Sequence, residues 1–307
     1  MELQGLLNLQ LMMFVLMGVG YVLRKNGTVT KEGRSVLTDL IINVILPCNI
    51  ITAFCIDFDR DILISGMQVL VISVVLQLFC TFLAAFAYRR VDKKKRMVLQ
   101  YATVCSNAGF LGNPIAEGLY GSMGLLYASI YLIPQRIVMW SAGVSYFTES
   151  PSKRDVIKKV LKHPCIIAVE IGIIMMLTGF RFPEFLQRSV KSLGGCTTAI
   201  TMLFIGTVLA DAGLHNLLSR MTVLFSVVRL ILIPLAVAAG CYLFHVGGTA
   251  AGLSVVLAAM PAGSTTAILA AKYHGDEVFA TQCVVVTTVL SMIMLPLWCM
   301  VLNRLFL

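Results

Sequence analysis

Apolar residues occupy this chain in long unbroken blocks, without the apolar/polar alternation of a half-buried strand. The blocks, separated by charged or Gly/Pro-marked breaks, fall at 3–23, 36–56, 62–88, 97–120, 123–148, 164–180, 193–210, 221–244, 249–271 and 278–302. About 20 apolar residues cross a bilayer as a helix, and in lipid only helices and closed barrels satisfy their own backbone. The pattern predicts an all-α integral membrane protein with ten transmembrane helices. Leu3 to Leu23 lacks the basic leading segment of a signal peptide and is followed by more apolar blocks, so it is read as the first helix.

Composition agrees and narrows the classes. Of 307 residues, 58% are apolar and 13% charged, far from the balance of a soluble domain, and no room remains for a soluble catalytic unit. The net charge of +9 comes from short basic runs between blocks, as positive-inside topology requires, and not from a nucleic-acid surface. Alternate loops hold 17 lysines and arginines on one side and 5 on the other. Both termini are thus expected outside a cell (inner) membrane, with Arg89, Arg90 and Lys93 to Arg96 in the cytoplasm. Nine cysteines without a CxxC pair and four scattered histidines point to no metal, cofactor or disulfide framework. GxxxxGK[ST], HExxH and GxSxG are absent, which argues against ATP use and against enzyme chemistry.

The polar, basic stretch 149–163, with Pro151, divides the chain into halves at 1–148 and 164–307. Five helices per half means that the second half inserts upside down, the arrangement of inverted-repeat secondary transporters. The fourth helix of each half is interrupted near its middle, by Ser106-Asn-Ala-Gly-Phe-Leu-Gly-Asn-Pro114 and by Met260-Pro-Ala-Gly-Ser-Thr-Thr266. Proline removes a donor and clashes with the preceding turn, so both helices are expected to open, and such backbone is tolerated at membrane depth only where it lines a cavity. Half-helices starting after Pro114 and Pro261 would offer free amides and a positive dipole end to a carboxylate.

These residues resemble the auxin efflux carrier family. Asn107-x-Gly109-x-x-Gly112-x-Pro114 is similar to its signature, as are Asn43-Val-Ile-Leu-Pro47, Met260-Pro-Ala262, Ala270-x-Lys-Tyr-x-Gly-Asp276, Thr287-Thr-x-Leu-Ser291 and Leu295-Pro296. The resemblance covers the whole chain, which lacks the long hydrophilic insert of the plant members and looks like the compact bacterial type. It implies a scaffold of helices one, two, six and seven, a mobile domain of the remaining six, and a substrate site where helices four and nine cross. Relatives carry malate, malonate or indole-3-acetate, so it also implies a carboxylate as cargo. Asn113 departs from the pattern, in which that position is often apolar, and is expected to adjust substrate choice.

The candidate substrate-binding residues are Asn107, Gly109, Gly112, Asn113, Pro114, Gln135, Arg136, Pro261, Ser264 and Thr265. The polar ones among them have an alternative use as caps of broken helix ends. Arg136 is too deep in its block to reach water easily; its guanidinium fork suits a carboxylate, and the alternative is an internal partner or a water-filled crevice. Glu117 and Glu170 are ion-coupling candidates, for a proton or sodium. Glu170 is alternatively an ion-pair partner of Arg229, and Asp39 and Asp211 are expected to be solvated. Gly18 and Gly20 would allow close helix approach, within the scaffold or in a homodimer. The expected function is secondary transport of a small organic anion by an elevator-like motion. A sodium/proton antiporter or other ion-coupled symporter of the same broken-helix fold, and a non-transporting membrane sensor, are the alternatives.

Overall fold

The computed structural model describes residues 3–56, 59–147, 153–211 and 218–305. In chain order its helices are α1 (Leu3–Lys25), α2 (Lys31–Leu40), α3 (Leu46–Ala53), α4 (Arg60–Ala87), α5 (Lys93–Val104), α6 (Asn113–Val138), α7 (Lys153–Leu161), α8 (Pro164–Thr178), α9 (Glu184–Gly195), α10 (Thr197–Asp211), α11 (Arg220–Val227), α12 (Ile233–Leu243), α13 (Gly248–Ala258), α14 (Thr265–Lys272) and α15 (Glu277–Leu305). Among the described residues there is no strand, only an isolated antiparallel bridge between Ser106 and Ala262. Among the described residues, five runs are long and apolar enough to cross a membrane: Glu32–Ala53, Arg60–Ala87, Glu184–Asp211, Arg220–Leu243 and Glu277–Leu305.

Proline sets the winding of several helices. Wider π turns at Ile41–Ile45, Ala108–Gly112 and Val228–Leu232 each end two residues before a proline, Pro47, Pro114 and Pro234. In each, the residue just before the proline donates five positions back: Leu46 to Ile41, Asn113 to Ala108, Ile233 to Val228. The wider turn makes room for the ring and the missing donor. Leu230 O, four residues before Pro234 and so without its helical donor, is taken up by Trp298 Nε1 at 2.8 Å. A fourth π turn, Met139–Gly143, continues α6.

The sequence boundary between the fourth and fifth blocks falls inside α6, which is broken at Gly121 (φ 61, ψ −151), a conformation only glycine adopts without strain. Residues 149–152 of the basic stretch lie outside the described residues. The remainder, expected as a loop, holds helix α7, because Val156, Ile157, Val160 and Leu161 recur at helical spacing.

Packing sorts the helices into two groups. In one, α1 lies along α10, and α3 lies on α8 and α9; in the other, α4, α5, α6 and α11 to α15 pack chiefly among themselves. The α1/α10 contact is backbone to backbone: a Cβ on Gly20 would lie 2.1 Å from Leu203 O, and one on Gly206 would lie 2.0 Å from Met17 O. Gly18, expected to share this role, has open space instead. Asp211, expected to be solvated, joins the ends of three helices by accepting from Arg24 Nε at 2.7 Å and Arg34 Nη1 at 2.6 Å. On α4, Leu63, Met67, Val71, Val74, Leu78 and Phe82 form an exposed stripe at helical spacing. Such a face is costly in water and at home in lipid.

Candidate functional site

The backbone opens in two places and closes on itself there. After α5, Cys105 is extended, and helix resumes at Ala108; after α13, residues 259–264 are irregular before α14. Pro261 contributes no N–H and holds Met260 out of the helical region. The two openings meet antiparallel: Asn107 N donates to Pro261 O at 2.8 Å and Gly263 N to Cys105 O at 3.0 Å.

Side chains from other helices meet three further main-chain groups. Gln135 Nε2 donates to Ser106 O at 2.8 Å while its Oε1 accepts from Ser106 Oγ at 2.8 Å. Ala262 N donates to Thr287 Oγ1 at 3.1 Å, and Arg229 Nε donates to Met260 O at 2.9 Å. An unmet carbonyl at this depth would cost about 1–3 kcal/mol, so these side chains act as struts. Gln135, expected to face substrate, is spent on this support.

Asn107 and Ser264 stand at the starts of the resumed helices, yet neither side chain caps its helix. The capping alternative for these two is therefore not realised. Gly109 faces open space, whereas a Cβ on Gly112 would lie 2.8 Å from Leu257 Cδ2, so Gly112 serves packing. Helical winding resumes at Ala108, ahead of Pro114, because the π turn absorbs the proline; the amide end on offer is that of Ala108 and Gly109 and not one after Pro114. Thr265 Oγ1 accepts from the buried Tyr101 hydroxyl at 3.3 Å. Asn113 is 0% exposed with neither side-chain polar atom partnered, and the buried Thr266 Oγ1 is likewise bare.

A cavity of about 590 Å³ reaches this crossing between α2, α10, α14 and α15. Ser264 and Phe204 line it, and Phe204 packs edge-on against Phe110 of the π turn, ring centres 5.4 Å apart. Arg34, Thr38, Asp39, Asp211 and Glu277 also line it. Sequence reasoning missed this wall: its charges sit near helix ends, where they read as solvated.

Three candidates are placed elsewhere. Arg136 is 7% exposed with Nη1 unpartnered, and its polar neighbours are His163 and Cys165 at the start of α8. Glu170 is exposed on α8, while Arg229 is buried and bonded to Met260 O, so the ion pair expected between them is replaced by a helix-break contact. Glu117 meets Asn49 of α3. His163, the N-cap of α8, is held down to about 4 by burial and by the Arg136 guanidinium. Its folded value lies below the unfolded value of about 6.5, so folding favours the neutral ring and stability falls as pH drops from about 6.5 towards 4. His163→Asn, which keeps a capping side chain, is expected to flatten the melting temperature across that window; an unchanged acid slope would assign it to other groups.

Against known proteins, the profile of a family described as membrane transport protein matches residues 9–299. An uncharacterized transporter of Methanothermobacter thermautotrophicus is 30% identical over 95% of this chain and 97% of its own. An uncharacterized transporter of Methanocaldococcus jannaschii is 24% identical over 94% and 96%, and one of Escherichia coli K12 is 21% identical over 92% and 93%.

Proposed function

Since the chain belongs to the membrane transport protein family, that of the auxin efflux carriers, we propose that it is a secondary carrier of a small organic carboxylate. The observation that carries the reading is the crossing itself. Two broken helices are tied main chain to main chain beside a cavity lined by Ser264, with an unspent amide at Gly109, unspent side chains on Asn107 and Ser264, and the bare, buried amide of Asn113 on the same broken helix. A carboxylate accepts from such donors, and a positive helix end favours it.

In this reading the chain forms ten spans in two inverted halves, 1–148 and 164–307. Support comes from the matched struts: the fifth apolar block of each half sends one side chain to the break in the fourth, Gln135 to Ser106 and Thr287 to Ala262, and these two main-chain sites are the bridged pair. The two packing groups then correspond to a scaffold and a transport domain that slides against it. The cavity, flanked by Arg34 and by α14 ending in Lys272, opens to the cytoplasm of a cell membrane with both termini outside.

The test is uptake into proteoliposomes of malate, malonate, indole-3-acetate and an uncharged analogue under imposed proton, sodium and voltage gradients. Saturable uptake of one acid and not of the uncharged analogue is expected. Sodium/proton exchange without anion flux would replace this reading by an antiporter working through the acidic cavity wall, Asp39, Asp211 and Glu277; binding without flux would make the protein a sensor.

A further inference from the structure

The most extensive contact between the two packing groups is that of α3 with α6, and it contains an unbalanced polar cluster. Asn49 of α3 is 4% exposed. Its Nδ2 donates to Gly194 O at 3.2 Å and reaches Glu117 Oε2 of α6 at 3.5 Å. Gly194 O, which also accepts from Thr197 Oγ1 at 2.7 Å, accepts only, so the orientation of the Asn49 amide is fixed with nitrogen towards it. Asn49 Oδ1 is left buried without a donor.

An ionised Glu117 offers acceptors alone and cannot relieve that oxygen. A protonated Glu117 can, because its O–H donates to Oδ1 while its other oxygen keeps the Nδ2 contact, giving a reciprocal carboxyl–carboxamide pair. The backbones of α9 and α3 are in direct contact here: a Cβ on Gly194 would lie 2.8 Å from Asn49 Cα. Among the described residues no charged side chain is paired with Glu117, and Glu170 of α8, the helix packed on α3, is exposed. α1 meets this part of α6 through Leu9 against Gly118, and α13 through Gly252 against the Tyr120 hydroxyl. Beside the contact on α3 stands the half-buried Cys48 thiol; beside Gly194, Lys191 and Cys196 are exposed, and Glu184 is taken up by Arg188 on the outer face of α9.

We propose that Glu117 is a proton-binding site of this carrier and that its proton fastens α6 to α3 and α9, so that protonation holds the conformation described here and release of the proton frees the transport group. The proposal rests on the two-group carrier reading above.

Glu117→Gln places a permanent donor and acceptor against Asn49 and mimics the protonated state. The first measurement needs no transport: infrared difference spectra of the purified protein titrated from roughly pH 4 to 9, bracketing the ordinary carboxylate value. A protonated-carboxyl band is expected in the parent, absent from Glu117→Gln and shifted in Asn49→Ala. The same titrating band in Glu117→Gln, or no shift in Asn49→Ala, overturns the proposal whether or not any substrate is carried. The second is uptake of the transported acid. A proton gradient is expected to stimulate the parent and to have no effect on Glu117→Gln; equal stimulation of both also overturns it. Absence of flux in the parent, with the band behaviour intact, would defeat the carrier reading and leave the proton site standing.

Discussion

Asn113→Leu is expected to fold as well as the parent, to melt at the same or a higher temperature, and to lose at least about tenfold in uptake. Both polar atoms of Asn113 are buried without a partner. Exchanging the amide for an isosteric apolar group therefore removes a desolvation penalty of about 1–3 kcal/mol and breaks no bond within the protein. A hydrogen bond to a charged ligand contributes about 1.5–3 kcal/mol, and each 1.4 kcal/mol is about a factor of ten, which sets the scale of the lost uptake. Stabilisation together with inactivation separates a ligand-facing amide from a structural one. Full uptake would remove Asn113 from the site, and a melting temperature lower by more than about 5 °C would reveal an internal partner.

Gly206→Ala is expected to show the opposite signature, a severe loss of folded protein with no special effect on substrate preference. The added methyl would lie 2.0 Å from Met17 O. The obstruction is backbone, so no side-chain rotation relieves it, and α1 must move off α10. Overpacking costs about 1–3 kcal/mol where side chains can shift, and more is expected here. Gly18→Ala on the neighbouring turn of α1 meets nothing within 4 Å and serves as the control. Equal melting of the two variants in detergent would show that α1 and α10 are not held by this contact.

Much of the fold was legible because lipid imposes a single rule on every span. Apolar runs announced an all-helical chain, and Pro114 and Pro261 located the two interruptions to within a few residues. The side of each proline on which winding resumes was not legible, because a π turn shifts the bonding by one residue and depends on room supplied by neighbours. Arg136 and Gln135 illustrate the same limit. Adjacent on one helix, they project about 100° apart, and only tertiary packing decides that Gln135 meets Ser106 while Arg136 lies by His163 and Cys165. Arg229 reads from sequence as an ion-pair partner of Glu170, but its partner is a carbonyl, and carbonyls carry no sequence signal. Asn49 was passed over for the same reason: its importance comes from Gly194 and Glu117, 145 and 68 residues away.

The link between the two openings is built from the main-chain atoms of Cys105, Asn107, Pro261 and Gly263. Holding the crossing together therefore makes no demand on the identity of the Asn107 side chain, which projects from the same residue that donates the link. On the carrier reading proposed above, architecture and specificity would be inherited separately at that position: cargo preference would drift by exchange of a side chain while the joint passes on unaltered.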